Sequence, residues 1–242
     1  MIRVAAVGDI HLGPGSEGSL RPAFETLADH ADLLLLAGDL TRHGTPQEAA
    51  VVAGEVAGLP VPVTAVLGNH DHHDDRPREV TDILTAAGVT VLEGESTVLH
   101  LNGTTVGVAG AKGFCGGYAG HCGSDFGEPE MKAFMRHSRS CADGLRRALT
   151  ELAEADTDLR IALTHYSPVL DTLVGEPPEI HPFLGSHLLA EAIDEVGADL
   201  AVHGHAHLGT EHGITAGGIR VRNVAMPVIN RAYAVYQLTP RP

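Results

Sequence analysis

The sequence predicts an α/β fold in which two sheets pack against each other with helices outside. Three observations carry this. Short β-branched or Leu-rich runs alternate with stretches of helical periodicity, the pattern of strands covered by helices. Some neighbouring runs have no helix between them, which a single wholly parallel sheet does not allow. Of the 242 residues 43% are hydrophobic but only 4% aromatic, with no Trp, so the core must be built from Ala, Val, Leu and Ile packed in regular layers.

In chain order, Val4 to Val7 is the first predicted strand and Leu20 to Asp29 the first helix. Leu33 to Ala37 is a strand, and Thr45-Pro46 opens a helix that runs to Ala57. Val61 to Val66 is a strand, followed by a helix from Arg78 to Ala87. Ser96 to Leu101 and Thr104 to Ala109, the latter with its apolar run Val106 to Ala109, flank Asn102-Gly103, a strong hairpin signal. Lys112 to Gly127 contains six Gly and no periodicity, which marks a long loop. Asp143 to Ala155 reads as a helix and Ile161 to Leu163 as a strand. Ser167 to Gly185 carries Pro168, Pro177, Pro178 and Pro182 and reads as irregular, and Ser186 opens a helix to Val196. Leu200 to Val202 is a strand. Glu211 to Thr215, Ile219 to Val224 and Tyr233 to Leu238 are consecutive strands, with Gly217-Gly218 at one turn. No repeat or linker divides the chain, so a single domain over residues 1–242 is expected.

Lys and Arg number 16 against 31 Asp and Glu, a formal charge of -15 that opposes binding to a nucleic acid polymer or an anionic membrane surface. Cys115, Cys122 and Cys141 are odd in number and lack Cys-x-x-Cys spacing, so reduced thiols are expected rather than a disulfide framework. The apolar run at Met1 to Val7 is too short for a signal peptide and nothing longer resembles a spanning helix, so the protein is read as cytoplasmic.

Five predicted strands end in metal-binding side chains: Asp9-Ile10-His11, Gly38-Asp39, Gly68-Asn69-His70-Asp71, Thr164-His165 and Gly204-His205-Ala206-His207. The C-terminal ends of strands in an α/β fold open onto the crevice where ligands bind, so these five pieces converge without distorting the core. Glycine ahead of the ligand permits a sharp turn and close backbone approach. Two Asp, one Asn and four His, with no thiolate, form a borderline-hard donor set suited to Mn, Fe, Zn or Co. Seven donors exceed what one ion would take from protein while leaving room for substrate, and Asp39 can bridge through its two oxygens. The expectation is therefore two divalent or trivalent ions, roughly 3.5 to 4 Å apart, that hold a hydroxide and clamp the attacking and leaving oxygens of a displacement at phosphorus. Counting +4 for the ions, -2 for the aspartates and -1 for hydroxide leaves the pocket about +1, which suits an anionic substrate.

At these residues the chain resembles the calcineurin-like metallophosphoesterase superfamily, whose pattern is Asp-x-His, Gly-Asp, Gly-Asn-His-(Asp/Glu), His and Gly-His-x-His, matched here from Asp9 to His207. The resemblance implies a four-layer α-β-β-α sandwich of two mixed sheets. It implies one metal held by Asp9, His11, Asp39 and His207 and another by Asp39, Asn69, His165 and His205. It makes His70 not a ligand but the group that contacts phosphate and helps protonate the departing oxygen. In the protein-phosphatase branch the Gly-Asp motif continues to an Asp-Arg pair. Here Gly38-Asp39-Leu40-Thr41 is followed by Arg42-His43, so the carboxylate that would orient His70 is missing, and Arg42 either neutralises a phosphate oxygen or faces solvent. In size and in its Gly-Asn-His-Asp form the chain is closer to the bacterial, cyclic-nucleotide-phosphodiesterase-like branch.

These readings lead to a dinuclear phosphoric ester hydrolase in which metal-bound hydroxide attacks a small phosphodiester or phosphomonoester. The alternatives are a non-catalytic scaffold of the same fold, a phosphoprotein phosphatase, or a nuclease. A nuclease would need a basic groove or capping domain that the sequence does not show. Partner proteins and oligomeric state are not read from the chain. His43, His72 and His73 are expected on solvated loop rims, His203 as a packed group rather than an eighth ligand, and Cys115, His121 and Cys122 as loop residues. Asn223 is either ordinary strand polarity or a group that orients a neighbouring loop. Substrate choice is expected to lie in loops 112–127 and 167–185.

Overall fold

The computed structural model describes residues 1–240; the last two positions of the expected domain, 241 and 242, lie outside the described residues. The first half of the chain builds a sheet and its covering helices. Strands β1 (Ile2–Val7), β2 (Leu33–Ala37), β3 (Val63–Val66) and β4 (Val89–Val91) alternate with α1 (Arg21–Glu25), α2 (Leu27–His30), α3 (Pro46–Val56) and α4 (Pro77–Ala86). The hairpin β5 (Glu95–Leu101) and β6 (Thr104–Ala111) follows, then a short ribbon, β7 (Gly117–Tyr118) and β8 (His121–Cys122), and the long helix α5 (Pro129–Glu154). The remainder is β9 (Leu159–Thr164), α6 (His181–Leu184), α7 (His187–Val196), β10 (Leu200–His203), β11 (His212–Ile214), β12 (Arg220–Asn223), α8 (Met226–Ile229) and β13 (Ala234–Leu238).

One sheet has the order β13-β1-β2-β3-β4 and the other β11-β12-β10-β9-β6-β5. Both are mixed. β1 to β4 run parallel with β13 antiparallel at the edge, and β6, β9, β10 and β12 run parallel with β5 and β11 antiparallel at the two edges. Side chains alternate between faces along each strand, which divides the core into layers. Val4, Ala6, Leu33 and Leu35 of the first sheet meet Val106, Val108, Ile161 and Val202 of the second between the sheets. On the first sheet's other face, Ala5, Leu34 and Ala65 pack under α1 to α4 through Phe24, Val52 and Leu84. On the second sheet's outer face, Ala109, Ala162 and Ala201 pack under Leu145, Leu149 and Ile193 of α5 and α7. The result is the expected four-layer α-β-β-α sandwich.

Several elements differ from the sequence reading. The helix expected over Leu20 to Asp29 breaks at Thr26 into α1 and α2. β3 begins at Val63 rather than Val61, because Pro62 has no N–H to give the ladder. α5 begins at Pro129, fourteen residues before the predicted start at Asp143; its first turns bury Met135 and Ser138 but leave most of their residues exposed, so their apolar period is weak. The loop expected over 112–127 contains the β7-β8 ribbon, and β4 and α8 have no counterpart in the prediction. No helix among the described residues is long and apolar enough to cross a membrane.

Candidate metal centre

The register places five strand ends side by side. Val7 pairs with Leu36 and Ala37 with Val66 in the first sheet, while Thr164 of β9 pairs with Ala111 and Leu163 with Val202 of β10 in the second. The loops leaving these ends are stitched to one another. Asp9 donates its N–H to the carbonyl of Gly38 (2.9 Å), His11 to Asp39 (3.1 Å), and Gly204 to His165 (3.1 Å). Asp9, His11, Asp39 and His205 all sit in the left-handed backbone region, with φ of 55°, 42°, 51° and 71°. Such a conformation costs of order 1–3 kcal/mol per non-glycine residue, and its concentration on proposed ligands marks strain held at the site by the surrounding fold.

All seven proposed ligands and His70 converge. Ligand atoms of Asp9, His11 and His207 lie within 4.8 Å of one another, as do those of Asp39, His165 and His205, and those of His11, Asp39 and His70. Asp9, Asp39 and His165 are buried, whereas His11, Asn69, His70, His205 and His207 are partly open to solvent. The Asp9 carboxylate accepts from the backbone N–H of His205 (2.9 Å) and from His207 Nε2 (2.9 Å). Burial alone would raise the Asp9 carboxyl, but the His207 hydrogen bond and the nearby His165 hold it below the usual carboxylate range. That same bond to Asp9 raises His207. Burial pushes the His205 imidazole down to about 3, assisted by His165.

The donor chemistry fits cations. His165 Nδ1 lies 2.9 Å from the carbonyl of Ala37, which only accepts, so Nδ1 donates there and Nε2 is the ring nitrogen that faces the centre. Nε2 lies 2.9 Å from Asn69 Oδ1 and 3.3 Å from Asp39 Oδ1. Two oxygens and a ring nitrogen that converge in this way would suit a positive charge at their centre, a metal ion bound by the neutral imidazole or the proton of the charged one. Two glycines make the approach possible: a Cβ at Gly68 would collide with the Asp39 carboxylate and backbone N–H, and one at Gly204 with the Asp9 carboxylate.

His70 stands at the open edge, its Nε2 3.9 Å from Asp39 Oδ2 and its side chain 45% exposed. Its Nδ1 is 2.6 Å from the backbone carbonyl of Arg42. The missing carboxylate therefore has a replacement, a main-chain oxygen, which no residue identity could have announced. The exposed Arg42 side chain donates from Nε to the carbonyl of His11 (3.0 Å), which keeps the guanidinium at the rim of the centre.

Two groups that hold the loops carried weak or no sequence signal. The buried Asp71 carboxylate accepts from the N–H groups of Leu40 (3.2 Å), Thr41 (2.8 Å) and Gly68 (2.8 Å) and from the Thr41 hydroxyl (2.6 Å), fastening the Gly-Asp loop to the Gly-Asn-His-Asp loop. Buried Asn223 donates from Nδ2 to the carbonyl of Ala206 (2.8 Å) and accepts from the N–H of Ala225 (3.1 Å), so of its two expected roles it takes the loop-orienting one. His203 is packed as expected: Nδ1 meets the Gly204 carbonyl (2.7 Å), Nε2 the Thr172 hydroxyl (2.8 Å), and burial pushes it down to about 4. His43 and His73 are exposed, but His72, expected on the rim, is half-buried and pushed down to about 4 by burial and by Lys112. The three cysteines are free.

A family model described as calcineurin-like phosphoesterase matches residues 2–209. No curated relative matches the chain. Among solved structures, the phosphopantetheinyl hydrolase from Mycobacterium tuberculosis superposes with a TM-score of 0.66 at 16% identity, covering 94% of this chain and 90% of that one. The protein TT1561 of Thermus thermophilus gives 0.57 at 18% identity over 93% and 89%. A putative 5'-nucleotidase from Staphylococcus aureus gives 0.55 at 18% identity, covering 92% of this chain and 48% of that one. At such identities the likeness is one of fold.

Proposed function

The chain belongs to the calcineurin-like phosphoesterase family, and from that premise we propose that it is a dinuclear metal-dependent phosphoric ester hydrolase acting on a small phosphodiester or phosphomonoester. The observation that carries the reading is the cluster of His165 Nε2, Asn69 Oδ1 and Asp39 Oδ1 beside the Asp9, His11 and His207 group. In this reading residues 1–242 form one domain, Asp9, His11, Asp39 and His207 hold one ion, and Asp39, Asn69, His165 and His205 hold the other. Two such ions, Mn, Fe or Zn by donor type, supply Lewis-acid polarisation of the phosphoryl oxygens and a water of lowered pKa as nucleophile.

The chain's own groups do the rest. Asp39 spans the two clusters through its two oxygens, Oδ1 toward His165 and Oδ2 toward His11 and His70. The Arg42 carbonyl fixes the proton of His70 on Nδ1 and turns Nε2 toward the open edge. From there a protonated Nε2 donates to the departing ester oxygen, and the loss of that proton leaves a neutral imidazole still anchored through Nδ1. The Arg42 guanidinium, held at the rim, offsets charge on a non-bridging phosphate oxygen. Buried Asp9 orients the turn of His205 and His207 through its bond to the His205 N–H.

Purified protein loaded with Mn should hydrolyse bis-p-nitrophenyl phosphate or p-nitrophenyl phosphate. Asp39→Ala should abolish turnover and lower the bound metal by at least half, whereas His70→Ala should lose about 10²–10⁴-fold in kcat with metal content unchanged. A fully metallated protein inert toward a broad panel of phosphoesters would refute the proposal.

A further inference from the structure

A second hollow lies beside the metal centre. Its walls are Met131 and Phe134 from the first turns of α5 and Pro182 and Phe183 from α6, around a cavity of about 430 Å³. Met131 and Phe134 are three residues apart, so they present one face of the helix. Pro182 is pinned by the N–H of Gly116 to its carbonyl (3.0 Å) and Leu184 by the N–H of Ser167 (3.0 Å), which fixes α6 as a wall. Phe183 belongs to both sites. The residue lines the hollow, and its carbonyl lies 3.4 Å from His205 Nε2. From the other side a series of rings joins them: Tyr166 lies 4.4 Å from His205, Phe114 5.9 Å from Tyr166, and Phe134 5.1 Å from Phe114.

This lining is apolar and open. Phe183 is 59% exposed and Met131 43%. Exposed apolar side chains around one hollow mark a binding site, and the cavity has the size of a small-molecule pocket. Its one ionisable lining residue is Glu130, which repels an anionic occupant.

We propose that this hollow is the subsite for the organic group of the phosphoester and that this group is uncharged and apolar, an alkyl or aryl chain. The proposal rests on the phosphoesterase reading for the position of the phosphate, at the ion-binding residues, with the organic group passing His205 and Phe183 into the hollow.

The test is binding of non-hydrolysable phosphonates to the Mn-loaded protein by titration calorimetry. n-Hexylphosphonate should bind at least about tenfold tighter than methylphosphonate, because the longer chain removes apolar area from water. 6-Phosphonohexanoate, of similar reach but anionic at its end, should lose that advantage. Met131→Ser and Phe183→Ser, both at exposed positions, should pull the hexyl-to-methyl ratio toward one, and Val98→Ser on the far hairpin should leave the ratio unchanged. Equal affinities for the hexyl and methyl compounds in a protein that hydrolyses bis-p-nitrophenyl phosphate would overturn the subsite and leave the hydrolase standing. A hexyl preference in a protein inert to every phosphoester would keep the subsite and remove the hydrolase. Equal affinities together with a dimer that Phe183→Ser dissociates would assign the face to a second copy of this chain.

Discussion

At the scale of single residues, the proposed ligands are legible in the sequence and their supports are not. Asp39 or His165 stands out because a metal would need that side chain, whereas His70 is held by a main-chain carbonyl that any residue at position 42 would supply. Asn223 is an intermediate case. Its amide bonds the Ala206 carbonyl between His205 and His207 and accepts from the Ala225 N–H, so Asn223→Ala strands the buried Ala225 N–H and leaves the Ala206 carbonyl with the longer Gly209 N–H bond (3.3 Å) alone. The expected cost is roughly 1–3 kcal/mol of stability and about 10–100-fold in metal affinity, measured by urea unfolding and metal titration; an unchanged affinity would show that the loop holds itself. His203 gives a pH dependence. Its folded-state value is depressed to about 4, so the folded protein keeps it neutral while the unfolded chain protonates it near 6.5. Between those values the unfolded state binds more protons, and the stability contribution, intact above pH 6.5, is lost as pH falls toward 4. With metal removed by chelator, the stability of the wild type over His203→Gln should therefore shrink by about 2 kcal/mol between pH 7 and pH 5. A difference independent of pH would contradict the assignment of a neutral, buried imidazole.

Secondary-structure elements are readable where the apolar period is strong and hidden where packing overrides it. β2, β9 and β10 match their predicted ranges to within a few residues because both their faces are buried and nearly every position is apolar. α5 is half legible, since its buried face includes Ser138 and Gly144, where close contact rather than hydrophobicity is required. Gly144 faces Gly94 with so little room between them that a Cβ on either meets the other's backbone at 3.2 or 3.3 Å. The same reasoning predicts what a methyl group does at the end of β3. Gly68→Ala would drive a Cβ into Asp39, so the Gly-Asp loop must move. We expect a folded protein with metal affinity reduced at least about tenfold, in the range found when ligand-orienting groups are removed. Gly54→Ala, in the exposed stretch of α3 where an added methyl meets nothing, is the control and should stabilise by about 0.5–1 kcal/mol with metal content unaltered. Equal metal content in both variants would mean that Asp39 does not depend on that close approach.

For the whole molecule, the layered architecture follows from the sequence while the strand order does not, because β13 returning beside β1 and β6 lying beside β9 are non-local pairings that no local pattern encodes. That order decides how metal and stability are linked. Asp9, Asp39 and Asn69 leave strands of one sheet, and His165, His205 and His207 leave strands of the other, so the centre straddles the seam between the two sheets. The seam itself is filled by aliphatic side chains from both sheets and needs no ion to remain closed. Chelation should therefore leave the protein folded but easier to unfold, since ions that bind the native state and not the unfolded chain stabilise it by mass action. At a free metal concentration 100 times the dissociation constant the gain is about 2.7 kcal/mol per site. For a chain of this length that corresponds to a rise of roughly 5–10 °C in Tm for each ion. Scanning calorimetry of the chelated protein with increasing Mn should show Tm rising with the logarithm of free metal, and Asp39→Ala, which removes the residue proposed to be shared by both ions, should flatten the dependence. A Tm indifferent to metal in the wild type would mean that the carboxylates and imidazoles gathered at the seam do not hold a cation in the folded state.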